Sequence, residues 1–321
     1  METRKIGSLE VSVVGVGCNN FGGRIDETAT RAVVDAALDE GITLFDTADV
    51  YGDRRSEELL GKALGTRRDD VVIATKFGMG DGTSLPRGAG ATSVAEALEG
   101  SLRRLGTDRV DLYQLHAPDD STPIDETLEA LDRLVGAGKV REIGCSNFDG
   151  PRIDDAALSA EKNGTASFVS VQNELSLLRR RGEGDLLAAC DRHGPVSGPP
   201  PRAGLSFLPY FPLASGMLTG KYRRGEEPPP GTRLAGMPAD RRERALSDRR
   251  FDTVEALDAF ARDRGHTLLE LAMSWLAGLP HLASVIAGAT RPEQVRANAA
   301  AVGWRLNDED RAELDALSPP A

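Results

Sequence analysis

The 321 residues predict one domain folded as a closed (β/α)8 TIM barrel with a short N-terminal hairpin. Three observations carry this expectation. Eight short apolar runs recur along the chain, amphipathic segments separate them, and the GxGxxG turn of an open doubly wound sheet is missing after the first run. The runs are residues 12–17, 44–49, 71–76, 112–117, 142–147, 168–173, 205–211 and 284–289. Their nearly continuous apolar character suits parallel strands covered on both faces.

Between the runs, Val33 and Val34 return as Ala37 and Leu38, and Leu59 and Leu60 return as Ala63 and Leu64. Each set is an i, i+4 stripe that a helix buries against a sheet. Ser93 with Glu96 predicts a capping box before a helix that Gly106 stops. Thr290, Pro292 and Glu293 predict another helix start. Residues 1–11 precede the first unit and predict the hairpin, closing the bottom of the barrel.

Two stretches break the alternation. In residues 194–204, Pro195 and Pro199 to Pro201 forbid helix and central strand, which predicts a loop at the N-terminal face. Residues 221–250 predict a long loop on the opposite face, with nine Lys and Arg against five Asp and Glu. In a chain of formal charge −11 that local excess suits holding an anion.

The overall negative charge excludes a general nucleic-acid binder, which needs clustered cations to neutralise phosphates. Cys18, Cys145 and Cys190 are too scattered for a disulfide framework, and His116, His193, His266 and His281 lack zinc-ligand spacing. Cys18 and Cys145 read as small buried residues near strand ends. There is no membrane-length apolar run and no signal-peptide pattern, so a soluble cytoplasmic protein with no membrane partner and no metal is expected.

Functional side chains of such barrels sit at the C-terminal ends of the strands. Asp46 lies in the second run, Tyr51 in the loop after it, Lys76 at the end of the third and His116 at the end of the fourth. A buried lysine needs a carboxylate, and Asp46 is at hand. The Lys76 ammonium is expected to pull the Tyr51 pKa down, making the phenol a proton donor to a developing alkoxide. His116 is expected to hydrogen-bond a carbonyl oxygen. None of these groups supplies electrons, so a hydride carrier is implied. A lyase using Lys76 as a Schiff-base nucleophile fits less well, because an ion-paired lysine stays protonated.

The segments FDTADVYG, ATKFG, LGTDRVDLYQLHAP, SNF at Ser146 to Phe148, VQNELSLLRR, FPLASGMLTGKY and VIAGATRPEQVRANAAA resemble the aldo-keto reductase superfamily in order and spacing, from Gly7 to Leu306. The resemblance implies Asp46, Tyr51, Lys76 and His116 as a catalytic tetrad acting on a small-molecule carbonyl substrate with NADPH. It places Ser146, Asn147 and Gln172 at the nicotinamide carboxamide and Tyr210 against the nicotinamide ring. Leu213, Ser215, Gly216 and Lys221 follow the pyrophosphate, and Gly288, Thr290, Arg291, Gln294 and Asn298 hold the adenosine end. A helix start at Thr290 would attract phosphate independently of the resemblance, and Arg291 suits a 2′-phosphate. Channel-associated members of the superfamily leave a non-catalytic, NADPH-binding regulatory subunit as the alternative. The chain departs from the family at Asp53, Arg54 and Arg55, where smaller, glycine-containing sequence is usual, and at residues 194–204, which read as an insertion.

Overall fold

The computed structural model describes residues 1–80, 87–194 and 204–320. Near the N-terminus Ile6, Leu9 and Val11 are buried among polar neighbours, and Gly7 takes the left-handed φ of +58° that the tight turn requires. Strands β1 (Thr3–Ile6) and β2 (Leu9–Ser12) therefore pair as an antiparallel hairpin. Its three apolar side chains pack on Leu44, Val72, Ala74, Leu112, Val169 and Leu208, closing the N-terminal end of the barrel as expected.

The eight apolar runs form β3 (Val14–Gly17), β4 (Leu44–Asp46), β5 (Val72–Phe77), β6 (Val110–Leu115), β7 (Val140–Ser146), β8 (Ser170–Glu174), β9 (Ser206–Tyr210) and β10 (Val285–Gly288). All are parallel, and β10 pairs with both β9 and β3, which closes the barrel. The outward faces of the strands pack on the predicted helix stripes, with Val33, Val34 and Ala37 of helix Glu27–Asp39 and Leu59, Leu60, Ala63 and Leu64 of helix Arg55–Leu64 all in one core. Cys18 and Cys145 are buried, and burial pushes both thiols well up. Among the described residues no helix is long and apolar enough to cross a membrane.

Three local expectations need correction. Helix Ala91–Leu105 begins two residues before Ser93, so Ser93 and Glu96 lie inside it and form no capping box. The neighbouring Glu126 carboxylate instead accepts the Ala91 N–H at 3.2 Å, a tertiary cap that local spacing does not reveal. Gly106 does stop that helix, in the left-handed region at φ 65°. Thr290 does not cap the last barrel helix: Arg291 is the N-cap and Pro292 the first residue of helix Pro292–Ala300. Residues 221–250 are not all loop, since Ala239–Ala245 is helical and a further helix starts at Asp248. The insertion expected at 194–204 lies almost wholly outside the described residues. Its flanks are joined by the Leu205 N–H donating to the His193 carbonyl at 2.9 Å.

Candidate active site

A strand's two-residue period puts alternate side chains on one face, so Asp46, Lys76, Gln114 and Gln172 share the barrel interior with Leu44, Ala74, Leu112 and Ser170 one layer below. The upper layer is polar and dry. Lys76, at 0% exposure, donates to Asp46 Oδ2 at 2.6 Å, to the Thr47 carbonyl at 3.0 Å and to the Tyr51 hydroxyl at 3.4 Å. Burial alone would disfavour the ammonium, but Asp46 and Tyr51 together outweigh it and hold the Lys76 pKa above its ordinary value.

Tyr51 behaves differently from the expectation. Burial pushes its pKa up more than Lys76 pulls it down, and Asp46 cancels part of that pull. The resting phenol therefore keeps its proton firmly. His116 follows β6, with its N–H bonded to the Phe77 carbonyl and its own carbonyl accepting from Asn147 Nδ2, both at 2.9 Å. Its ring stands edge-on to Tyr51 with centroids 5.7 Å apart. Burial first, and then the Lys76 charge, push its pKa down to about 3. The imidazole is thus neutral at any working pH, and no step in a rate profile between pH 5 and 8 should belong to it. An inflection in that window that disappears in His116→Gln would contradict this.

Of the residues expected at a carboxamide, Ser146 ends β7 and donates through Oγ to the Gln172 carbonyl at 2.8 Å. Asn147 takes a left-handed φ of 62° and accepts from the Tyr210 hydroxyl at 2.7 Å. Gln172 turns its amide nitrogen inward to Asp46 Oδ1 at 2.8 Å. These four and the Asp46, Tyr51, Lys76 and His116 group share one end of the barrel.

The loop after β9 is strained: Phe211, Ala214, Ser215 and Gly216 all have positive φ, three of them non-glycine. Non-glycine residues in that region cost on the order of 1 kcal/mol each and gather where main-chain N–H groups must converge. Leu213 accepts from the Gly216 N–H at 2.7 Å, and a Cβ at position 216 would lie 2.5 Å from Lys221 Nζ. Lys221 has no carboxylate partner among the described residues; burial and then Arg24, Arg291 and Arg233 lower its pKa. Arg233, which no sequence signal singles out, is lowered by burial and by Arg24. It lies 5.1 Å over the Phe211 ring and donates to Asn20 Oδ1 at 3.1 Å, while Arg24 donates to the Gly231 carbonyl at 2.8 Å. Three cations without carboxylate partners among the described residues gather beside the strained loop, an arrangement that suits a polyanion.

At the end of β10, Gly288 faces the Asn20 amide, which lies 3.2 Å from where a Cβ would stand. Gln294 accepts from both the N–H and the hydroxyl of Thr290, at 2.8 and 3.1 Å, and Asn298 is buried in the same helix. The Arg291 side chain is 68% exposed, with the Glu293 carboxylate 3.9 Å from its Nε. After Tyr51, Asp53 and Arg54 adopt left-handed φ of 52° and 72°. Glycine enters that region without strain, which accounts physically for the glycine-containing pattern from which this chain departs.

Behind this end of the barrel lies a second buried cluster. Asp49 and Glu57 are both at 0% exposure. Glu57 accepts from Thr75 Oγ1 at 2.6 Å and from Arg104 Nε at 2.7 Å. Neither Asp49 carboxyl oxygen has a well-formed hydrogen bond among the described residues. Burial and then Glu57 raise the Asp49 pKa to about 7, against the opposing pull of Arg104, the Val50 amide and Lys76.

The Aldo/keto reductase family model matches residues 13–319. The chain is 33% identical to the aldo-keto reductase YhdN of Bacillus subtilis over 96% of this chain and 90% of that protein. It is 34% identical to the uncharacterized oxidoreductase YrpG of Bacillus subtilis, over 97% and 93% of the two chains. It is also 32% identical to a probable voltage-gated potassium channel subunit beta of Arabidopsis thaliana, over 94% and 91%. With a closed eight-stranded barrel carrying these residues at its C-terminal end, the chain belongs to the aldo/keto reductase family and is an oxidoreductase.

Proposed function

We propose that the protein reduces an aldehyde or ketone to an alcohol with NADPH. The observation that carries this reading is Lys76 Nζ fixed by Asp46 Oδ2 at 2.6 Å while facing the Tyr51 hydroxyl at 3.4 Å. A reduced nicotinamide dinucleotide, when bound, supplies the hydride that the side chains lack. Ser146, Asn147, Gln172 and Tyr210 would hold its nicotinamide end, Leu213, Ser215, Gly216, Lys221 and Arg233 its pyrophosphate, and Gly288, Thr290, Arg291, Gln294 and Asn298 its adenosine end. The glycine that leaves room for Lys221, and the cations beside it, fit such a group.

As the carbonyl carbon gains a C–H bond, the C=O π pair moves to oxygen. Tyr51 gives its proton to that oxygen, forming the alcohol, and regains one from solvent. The Lys76 ammonium offsets the phenolate charge that remains. Neutral His116 turns a ring nitrogen to the carbonyl and orients it.

Purified protein with NADPH and 4-nitrobenzaldehyde tests the reading directly, and dinucleotide binding without turnover would overturn it. That outcome would favour the second reading, a cofactor-binding regulatory subunit, which the likeness to the Arabidopsis thaliana channel subunit supports. The choice of NADPH rests on Arg291. In Arg291→Ala, NADPH binding should weaken by about 1.5–3 kcal/mol, the range for hydrogen bonds to charged groups, with little change for NADH. Equal losses in a fluorescence titration would remove the 2′-phosphate contact.

A further inference from the structure

Gln114 stands opposite Lys76 in the β5–β6 register and opposite Gly144 in the β6–β7 register. It is wholly buried, in the layer above Leu112. Its Nε2 donates to Asp46 Oδ1 at 3.2 Å, and its Oε1 accepts from Gln172 Nε2 at 3.3 Å. An ionised carboxylate only accepts, so both glutamines must turn nitrogen toward Asp46. The second Gln172 N–H is then spent on Gln114, and Gln172 Oε1 has no partner among the described residues. A Cβ at Gly144 would fall 3.3 Å from Gln114 Cγ and 2.3 Å from Ser170 Oγ, so the glycine leaves room for this amide.

We infer that Gln114 is a positioning residue whose amide bridges the Asp46 carboxylate to Gln172, coupling the Lys76–Tyr51 pair to the side of the site that holds the dinucleotide. The inference rests on the carbonyl-reductase reading. A leucine would fill the same space if packing were the whole role, yet it would leave Asp46 with one amide donor and Gln172 with an unspent N–H. A glutamic acid is more telling. Protonated, it can donate to Asp46 and accept from Gln172 as the amide does; ionised, it places a carboxylate against Asp46.

The test uses Gln114→Leu and Gln114→Glu, with far-UV circular dichroism to confirm the fold and Gln114→Met as the substitute if the leucine variant fails to fold. In Gln114→Leu, kcat for 4-nitrobenzaldehyde should fall about tenfold or more at every pH, as expected when a buried charge loses a hydrogen bond. In Gln114→Glu, the ratio of variant to wild-type kcat should approach one at the acidic end of the profile and fall about tenfold as the new carboxyl ionises. A leucine variant with wild-type kcat overturns the inference, as does a glutamate variant whose kcat is depressed to the same extent at every pH, the acidic end included. If wild-type protein binds NADPH without turnover, the reductase reading fails separately. The bridge then stands or falls on whether Gln114→Leu weakens NADPH severalfold or leaves it unchanged. Wild-type protein that does not bind NADPH removes both.

Discussion

Tyr51→Phe is expected to lower kcat for carbonyl reduction by about 10²-fold or more, within the usual contribution of general acid catalysis. The fold should survive, because among the described residues the hydroxyl hydrogen-bonds to Lys76 alone, and Lys76 keeps Asp46 and the Thr47 carbonyl as partners. NADPH affinity should change little, since among the described residues the phenol's hydrogen bond goes to Lys76 and not to Asn147, Tyr210 or the Lys221 cluster. The contrast is Lys76→Met, which strands Asp46 in a dry interior; removing one partner of a buried pair costs about 3–5 kcal/mol, so activity there is confounded with folding. The phenylalanine variant isolates the proton. Because burial holds the Tyr51 pKa up, reduction should persist into alkaline solution and fall only where the phenol ionises. Stopped-flow and steady-state rates at saturating NADPH check both points, and wild-type turnover in Tyr51→Phe would remove the phenol from the mechanism.

The parts of this site legible in the sequence are those that break an apolar pattern. Asp46 and Lys76 are charges inside strand runs, a position with few physical explanations besides pairing. Tyr51 and His116 follow from their place just past strand ends. Gln114 and Gln172 are harder to read, because a neutral amide in a strand carries no signal until cross-strand register aligns it with a carboxylate. Arg233 is illegible for another reason. It lies in a stretch rich in cations and without period, and only the folded loop sets it over Phe211. The direction of the Tyr51 shift is misread from sequence because the chain reveals the attracting charge but not the extent of burial opposing it. The Ser93 and Thr290 caps fail for local reasons. Ser93 and Glu96 lie inside their helix, whose Ala91 N–H is taken by the distant Glu126. Thr290 stands one residue ahead of the Arg291 N-cap, its own N–H and hydroxyl bonded to Gln294.

The Asp49 cluster yields a stability result whose sign follows from counting charges. Asp49 and Glu57 are two buried carboxylates sharing one arginine, Arg104, while Lys76 is committed to Asp46 and Tyr113 adds only a neutral phenol. Asp49 therefore keeps its proton in the folded state to about pH 7, whereas in the unfolded chain it ionises near 3.8. A folded-state pKa raised in this way contributes nothing unfavourable below the unfolded value. Between the two values, however, the unfolded state gains by releasing a proton that the native state must hold. Stability is lost progressively as pH rises from about 4 to about 7, by roughly 4 kcal/mol in all, and stays lost above that. An asparagine at this position is neutral in both states at every pH, so Asp49→Asn removes this loss without changing the shape of the side chain. Whatever the amide itself costs in an unpartnered pocket is independent of pH and cancels in a comparison of two pH values. The variant should therefore gain roughly 2–3 kcal/mol on wild type between pH 5 and pH 8, read as a rising difference in denaturation midpoint. A difference between the two proteins that stays constant from pH 5 to pH 8 would show that Asp49 is ionised in the native state, its charge offset by Arg104.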